Sequence, residues 1–196
     1  MAASAPMIVL SAALLTTIAG FAQPDPGGPV GTQLAVATEI EGVPCAAGSV
    51  WYHANGRLCR CTISRDATVR GAPLPAGSSV AFDEHGAHDY VFLPRSTEVQ
   101  GLTCRGSGHN FMTTFHPDGR LRLCWLEQDT VIQDVPCAAF SVWSDAVRRR
   151  VSGVHLHPNG RLAECRLSRT ITRDGTRIER NTRIRLDENG HLIGSR

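Results

Sequence analysis

From Thr38 onward, apolar and polar residues alternate in short bursts around five tetrapeptides that end in glycine. These are HANG (His53–Gly56), DEHG (Asp83–Gly86), HPDG (His116–Gly119), HPNG (His157–Gly160) and DENG (Asp187–Gly190). Four residues before each glycine stand Tyr52, Phe82, Phe115, Leu156 and Leu186; six before stand Val50, Val80, Thr113, Val154 and Ile184. A period of two places these side chains on one buried face of a strand. After the glycine, Leu58, Leu121, Leu162 and Leu192 recur at plus two, with His88 the exception, and Ile63, Leu93, Leu126 and Leu167 recur at plus seven. Two and seven differ by an odd number. The return strand therefore either carries a bulge or is covered on both faces.

The tetrapeptides have the chemistry of hairpin turns. Pro117 and Pro158 preset the first central position of a type I turn, Asp118 and Asn159 suit the second, and glycine takes the left-handed conformation that follows. A third strand is expected before each hairpin, in ATEIEGVPC, ATVRGAPL, STEVQGLTC, DTVIQDVPC and TRDGTRI, with its Gly or Pro marking a corner. The turn glycines are 30, 33, 41 and 30 residues apart, the period of stacked supersecondary units. No stretch keeps an apolar period of 3.6. The expected fold is all-β: five tandem three-strand units (residues 38–66, 67–95, 96–128, 129–169 and 170–196) in an elongated sheet or solenoid-like array, with a closed antiparallel barrel as the alternative.

The seven cysteines follow the same units. Cys45, Cys104 and Cys137 take one equivalent position at the start of a unit, and Cys61, Cys124 and Cys165 each lie five residues after the turn glycine. Units two and five lack both, with Leu74 and Val91 or Ile178 and Ser195 in their places. Cysteines that come and go together predict the disulfides Cys45–Cys61, Cys104–Cys124 and Cys137–Cys165, leaving Cys59 as a free thiol. Such bonds need an oxidising compartment. The apolar run Met7–Ala22, with small residues at Gly20 and Ala22, reads as the core of a signal peptide covering residues 1–22, so a periplasmic or secreted protein with no membrane span after cleavage is expected. Residues 23–37, rich in Pro and Gly, are expected to form a flexible leader.

Composition narrows the chemistry. All 20 basic residues are arginine, which excludes reactions that need a lysine amine, and aromatics make up only 6%, too few for the stacking platforms of single-stranded nucleic-acid binders. No nucleic-acid partner is expected. His53, His116 and His157 share one turn position, where hydrogen bonds to turn backbone are expected rather than a metal. Charge is uneven: from Trp143 onward there are 12 arginines against 6 acids, whereas the preceding residues carry 8 arginines against 12 acids. Unit four also carries a 12-residue insertion, since Cys137 to Gly160 spans 23 residues against 11 from Cys45 to Gly56. The insertion holds Arg148, Arg149 and Arg150 beside Trp143. Repeat insertions tend to lie on a binding face, which makes these four residues an anion-binding candidate.

The stretches VWYHANGRL, TTFHPDGRL and VHLHPNGRL resemble the hairpin repeat of the MORN type, especially its bacterial YwqK-like variants. The period here is longer, cysteines are added and the usual Gly-x-Trp opening is absent. The resemblance implies an elongated β-sheet array used as a scaffold or for protein contact, with no catalytic residues to carry over. The expectation is therefore an exported scaffold or protein-binding module of the bacterial cell envelope, without catalysis, cofactor or metal. The alternative is a binder of anionic envelope glycans or lipids through the Arg148–Arg150 loop and the basic last unit. An envelope protein or an anionic polymer would be the partner.

Overall fold

A computed structural model describes residues 28–107, 110–141 and 153–195. Among them there is no helix. Eleven strands form one antiparallel sheet in simple sequential order: β1 (Val30–Leu34), β4 (Gly48–Tyr52), β5 (Leu58–Thr62), β8 (Ser79–Phe82), β9 (His88–Phe92), β12 (Met112–Phe115), β13 (Leu121–Cys124), β16 (Val154–Leu156), β17 (Leu162–Arg166), β20 (Arg183–Leu186) and β21 (Leu192–Ser195). With neighbouring strands about 4.8 Å apart the sheet is about 48 Å wide. It stays open. Among the described residues β1 and β21 have no further neighbour, so the barrel alternative does not hold.

The expected third strand is itself a hairpin. Five separate two-stranded sheets precede the long hairpins: β2 (Thr38–Ile40) with β3 (Val43–Cys45), β6 (Ala67–Val69) with β7 (Ala72–Leu74), β10 (Thr97–Val99) with β11 (Leu102–Cys104), β14 (Thr130–Ile132) with β15 (Val135–Cys137), and β18 (Ile171–Arg173) with β19 (Thr176–Ile178). What reads in sequence as a corner is a two-residue turn with positive φ at both central residues, as at Gln100 (φ 50°) with Gly101 (φ 82°) and Gln133 (φ 49°) with Asp134 (φ 68°). That is the type I′ geometry, whose twist matches the flanking strands. Only the second position is usually glycine, and the first is a side chain with work elsewhere.

That work is at the long hairpins. In all five, the strand register shifts by one on the return strand, so that Cys59, Asp89, Arg122, Ala163 and Ile193, each three residues after the turn glycine, stand as the extra residue of a β-bulge. The bulge resolves the odd spacing between the plus-two and plus-seven apolar positions. The amide just before it is taken up from below: Glu41 Oε1 accepts from Leu58 N (3.0 Å), Gln100 Oε1 from Leu121 N (2.9 Å) and Gln133 Oε1 from Leu162 N (3.0 Å). In units one, three and four the short hairpin thus holds the tip of its own long hairpin. A left-handed conformation costs a residue with a side chain about 1–2 kcal/mol, and these hydrogen bonds offset it.

The core lies between the sheet and this row of short hairpins. Val43, Cys45, Val69, Leu74, Val99, Val135 and Cys137 from the short hairpins are buried against Val50, Leu58, Ile63, Val91, Leu121, Leu162 and Ile184. The three expected disulfides are present, with Cα–Cα distances of 5.7, 5.4 and 5.7 Å, and Cys59 is free. Each ties a short hairpin to the return strand of the same unit. Beside each, an isolated bridge joins the strands again: Cys45 with Ile63, Cys104 with Leu126, and Cys137 with Leu167. Their closed loops of 16, 20 and 28 residues correspond to about 3 kcal/mol each in the chain-entropy model. The bonds fit an oxidising compartment.

The leader expected over residues 23–37 needs correction in its second half. Val30–Leu34 forms β1, paired with β4 from Val30↔Tyr52 to Leu34↔Gly48. The reason is register. Leu34 precedes β2 by four residues, as Ile63 precedes β6 and Leu93 precedes β10, so β1 takes the place of a return strand ahead of unit one. The signal-peptide segment, residues 1–22, and most of the unit-four insertion lie outside the described residues.

The turn glycines differ in what surrounds them. A Cβ at Gly119 (φ +84°) would lie 2.4 Å from the Arg70 carbonyl oxygen of the neighbouring short hairpin, whereas at Gly160 (φ +80°) it would meet nothing within 4 Å. Gly160→Ala is expected to cost about 1 kcal/mol, the left-handed penalty alone, and Gly119→Ala about 2–3 kcal/mol because backbone must also move. Urea unfolding of the two variants checks this, and equal losses would contradict the packing described here.

Candidate functional site

One face of the eleven-stranded sheet is roofed by the short hairpins, and the other is not. The uncovered face presents the positions out of phase with the core: five before each turn glycine (Trp51, Ala81, Thr114, His155, Arg185) and four after it (Arg60, Tyr90, Leu123, Glu164, Gly194). Cross-strand pairing lines them up. One row runs Gly31, Trp51, Arg60, Ala81, Tyr90, and another in line with it runs from unit three onward as Thr114, Leu123, His155, Glu164, Arg185, Gly194. A parallel row pairs Thr62 with Ser79, Ser79 with Phe92 and Phe92 with Met112.

The row divides by chemistry. At the β1 end Trp51 lies over Gly31, where a Cβ would come within 3.0–3.1 Å of three ring atoms, and the Arg60 guanidinium sits 5.2 Å from the Trp51 ring centroid. Tyr90 and Phe92 pack together at 5.4 Å. Between these groups runs an open groove of about 350 Å³, with Ser49, Thr62 and Ser79 supplying hydroxyls. In the middle, Phe111, Trp125 and Phe140 form a three-ring cluster with centroids 4.9–5.9 Å apart, and Arg105 lies 5.1 and 5.5 Å from the Phe111 and Phe140 centroids. At the β21 end the face is charged. Arg183 and Glu164 form an ion pair, Arg166 is buried and bonded to Asn181 Oδ1 (3.1 Å) and the Ala139 carbonyl (2.9 Å), and Arg185 lies beside Gly194.

The turn histidines have a structural task different from the expected one. His53 Nε2 donates to the Phe82 carbonyl (2.8 Å), His116 Nε2 to the Leu156 carbonyl (3.0 Å) and His157 Nε2 to the Leu186 carbonyl (2.9 Å). Each partner belongs to the next unit, not to the histidine's own turn. Asp83 and Asp187 at the same position instead accept amides of their own turns, from His85 and Ala87 and from Asn189 and His191. Among the described residues no group of three His, Cys, Asp or Glu side chains comes together as a metal site. Trp143, Arg148, Arg149 and Arg150 lie outside the described residues.

Cys59 sits half-buried on its bulge. Burial raises its thiol above the ordinary value, against the opposing pull of Arg60, and the Asp89 charge adds to the rise. A thiolate nucleophile needs the reverse environment. His88 replaces the leucine of the other units in the core, stacked on Phe82 (5.3 Å) and next to Phe115 (5.0 Å), with Nε2 donating to the Val69 carbonyl (2.9 Å). Burial pushes its pKa below the ordinary 6.5, the bond to Val69 opposes this, and Arg70 adds to the fall.

No family model, no curated protein and no solved structure matches the chain. The site is therefore read from its geometry alone. The functional side chains that sequence reasoning passed over, Trp51, Arg60, Tyr90 and Phe92, are spaced by the same repeat arithmetic as the core. Their signal was present in the phase opposite to the apolar one.

Two outcomes follow. The unfolded chain takes up a proton on His88 below about pH 6.5 while the folded chain resists it, so stability is full above that pH and falls as pH is lowered. His155, also shifted down by burial and by Arg183 and Arg122, acts in the same direction. Thermal unfolding followed from pH 7.5 to 5 is expected to show a smaller loss in His88→Leu than in the parent; an identical slope would contradict the burial of a neutral imidazole. Separately, iodoacetamide is expected to modify Cys59 of the folded protein about tenfold more slowly than a free cysteine thiol at neutral pH, and a rate above that of the free thiol would contradict its placement.

Proposed function

We propose that the protein is an exported β-repeat scaffold of the bacterial cell envelope that binds its partner on the uncovered sheet face and performs no catalysis. The observation that carries this reading is the asymmetry of the sheet. One face is sealed by five short hairpins, three of them locked by disulfides, while the other carries aromatic, hydroxyl and charged side chains in straight cross-strand rows. A contiguous patch of aromatic side chains left outside the core marks a surface for interaction. A rigid, open array of that width suits a long or flat partner better than a small substrate.

A second reading, the binding of anionic glycans or lipids through the basic last unit, is supported by Arg183 and Arg185 on β20, near the β21 end. The Arg183–Glu164 ion pair already neutralises part of that charge.

Thr62 and Thr68 allow a direct comparison. Both are exposed and six residues apart, but Thr62 is on the uncovered face of β5 and Thr68 on a short hairpin. A photo-crosslinking residue at Thr62 is expected to trap an envelope component in the producing cell, and the same residue at Thr68 is not. Equal trapping from both positions, or trapping from Thr68 alone, would contradict the assignment of the face.

A further inference from the structure

The groove at the β1 end has a composition that narrows its ligand. Resting on the reading of the uncovered face as the binding surface, we propose that this groove binds an acidic oligosaccharide, with a sugar carboxylate on Arg60 and a sugar ring against Tyr90.

Three observations converge on that ligand class. Arg60 is in none of the ion pairs formed among the described residues, and its guanidinium is held over the Trp51 ring rather than against a carboxylate. A cation fixed on a face without a counter-charge favours an anionic ligand, and the planar guanidinium matches a carboxylate with two donors. The neighbouring row is uncharged and rich in hydroxyl and amide groups: Gln33 Nε2 donates to Ser49 Oγ (2.9 Å), and Thr62 pairs across the strands with Ser79. Such groups donate and accept at once, which is what a ligand covered in hydroxyls requires. The third observation is the Tyr90 ring at the far wall, inclined at 60° to its neighbour Phe92, which offers a face to the apolar side of a sugar ring.

An acidic peptide fits less well. A peptide presents main-chain amides and carbonyls, and the strands under this groove spend their own backbone groups on one another in the ladder, from Arg60↔Ala81 through Ala81↔Tyr90. Only side chains remain to meet the ligand, and these match hydroxyls and a carboxylate. Among the described residues the groove is lined by strand residues of β4, β5, β8 and β9 and open along the face, which suits the interior of a chain rather than a single small molecule.

Titration calorimetry on the full-length, disulfide-intact protein tests the proposal with three probes: tetragalacturonate, neutral cellotetraose and a hexaglutamate peptide. Tetragalacturonate is expected to bind about tenfold or more tightly than either of the others, because only it satisfies both the charge and the hydroxyl row. Arg60→Gln is expected to weaken it about tenfold without lowering the thermal midpoint, and Tyr90→Ala to weaken it while leaving the salt dependence in place. Absence of heat with tetragalacturonate, equal affinity for hexaglutamate, or unchanged binding by both variants would overturn the assignment. Crosslinks at Thr62 without tetragalacturonate binding would leave the scaffold reading standing and remove this ligand. The converse would keep the ligand and remove a protein partner.

Discussion

An open antiparallel sheet has two faces, and a protein with little else must bury one of them with its own chain. Here the cover is distributed. Each long hairpin is roofed by the short hairpin immediately before it in sequence, and in units one, three and four the contact is fixed at both ends of the unit. At one end a side chain from the short type I′ turn takes the amide just before the bulge, as Gln100 does for Leu121. At the other end a disulfide or an apolar pair joins the short hairpin to the return strand, as Cys137 does with Cys165. Everything that is notable on the opposite face depends on this, because only a sheet sealed on one side can afford rows of half-buried aromatic and charged residues on the other.

The units are alike without being identical, and the differences fall where one would expect compensation. Unit two has no disulfide, and there Leu74 and Val91 fill the sulfur positions while Phe82, His88 and Phe115 stack together and Arg70 lies 4.9 Å from the Phe82 ring centroid. It also lacks the histidine that elsewhere reaches the next unit's carbonyl. Its boundary with unit three is instead a close backbone approach, in which Gly119 leaves room for the Arg70 carbonyl. Neighbour coupling in the array therefore has two forms, a side-chain hydrogen bond and a backbone contact, and both depend on the residue that occupies the long turn.

The core and the disulfides were legible in the sequence because both repeat with the hairpins: the positions of Val50, Leu58, Ile63, Cys45 and Cys61 relative to Gly56 recur in later units. The bulge was legible as one of two options, since an odd step between Leu58 and Ile63 has only two explanations. The short hairpins were missed. Their turn is two residues long, its first position is Glu41, Arg70, Gln100, Gln133 or Asp174, and none of these side chains advertises a positive φ. In units one, three and four the tertiary bond from that residue, Glu41, Gln100 or Gln133, to the long hairpin helps make the conformation tolerable. The strand Val30–Leu34 was missed for a related reason: its pairing comes from β4, far along the chain, and its own residues, Val-Gly-Thr-Gln-Leu, carry little pattern. The candidate face was hidden because attention to apolar periodicity selects the buried phase and discards its complement, where Trp51, Arg60 and Tyr90 stand.

The candidate face is built from side chains in register across strands, and the register is only as firm as the clamp beneath it. Non-reducing peptide mapping of the mature protein with trypsin and a glutamate-specific protease examines the clamp most directly, because cleavage after Arg57 and Arg60 separates Cys59 from Cys61 and cleavage after Glu127 separates Cys124 from Cys137. The account predicts three linked peptide pairs, Cys45 with Cys61, Cys104 with Cys124 and Cys137 with Cys165, and Cys59 as a free thiol. A bond that includes Cys59, or one that joins cysteines of different units, would contradict it.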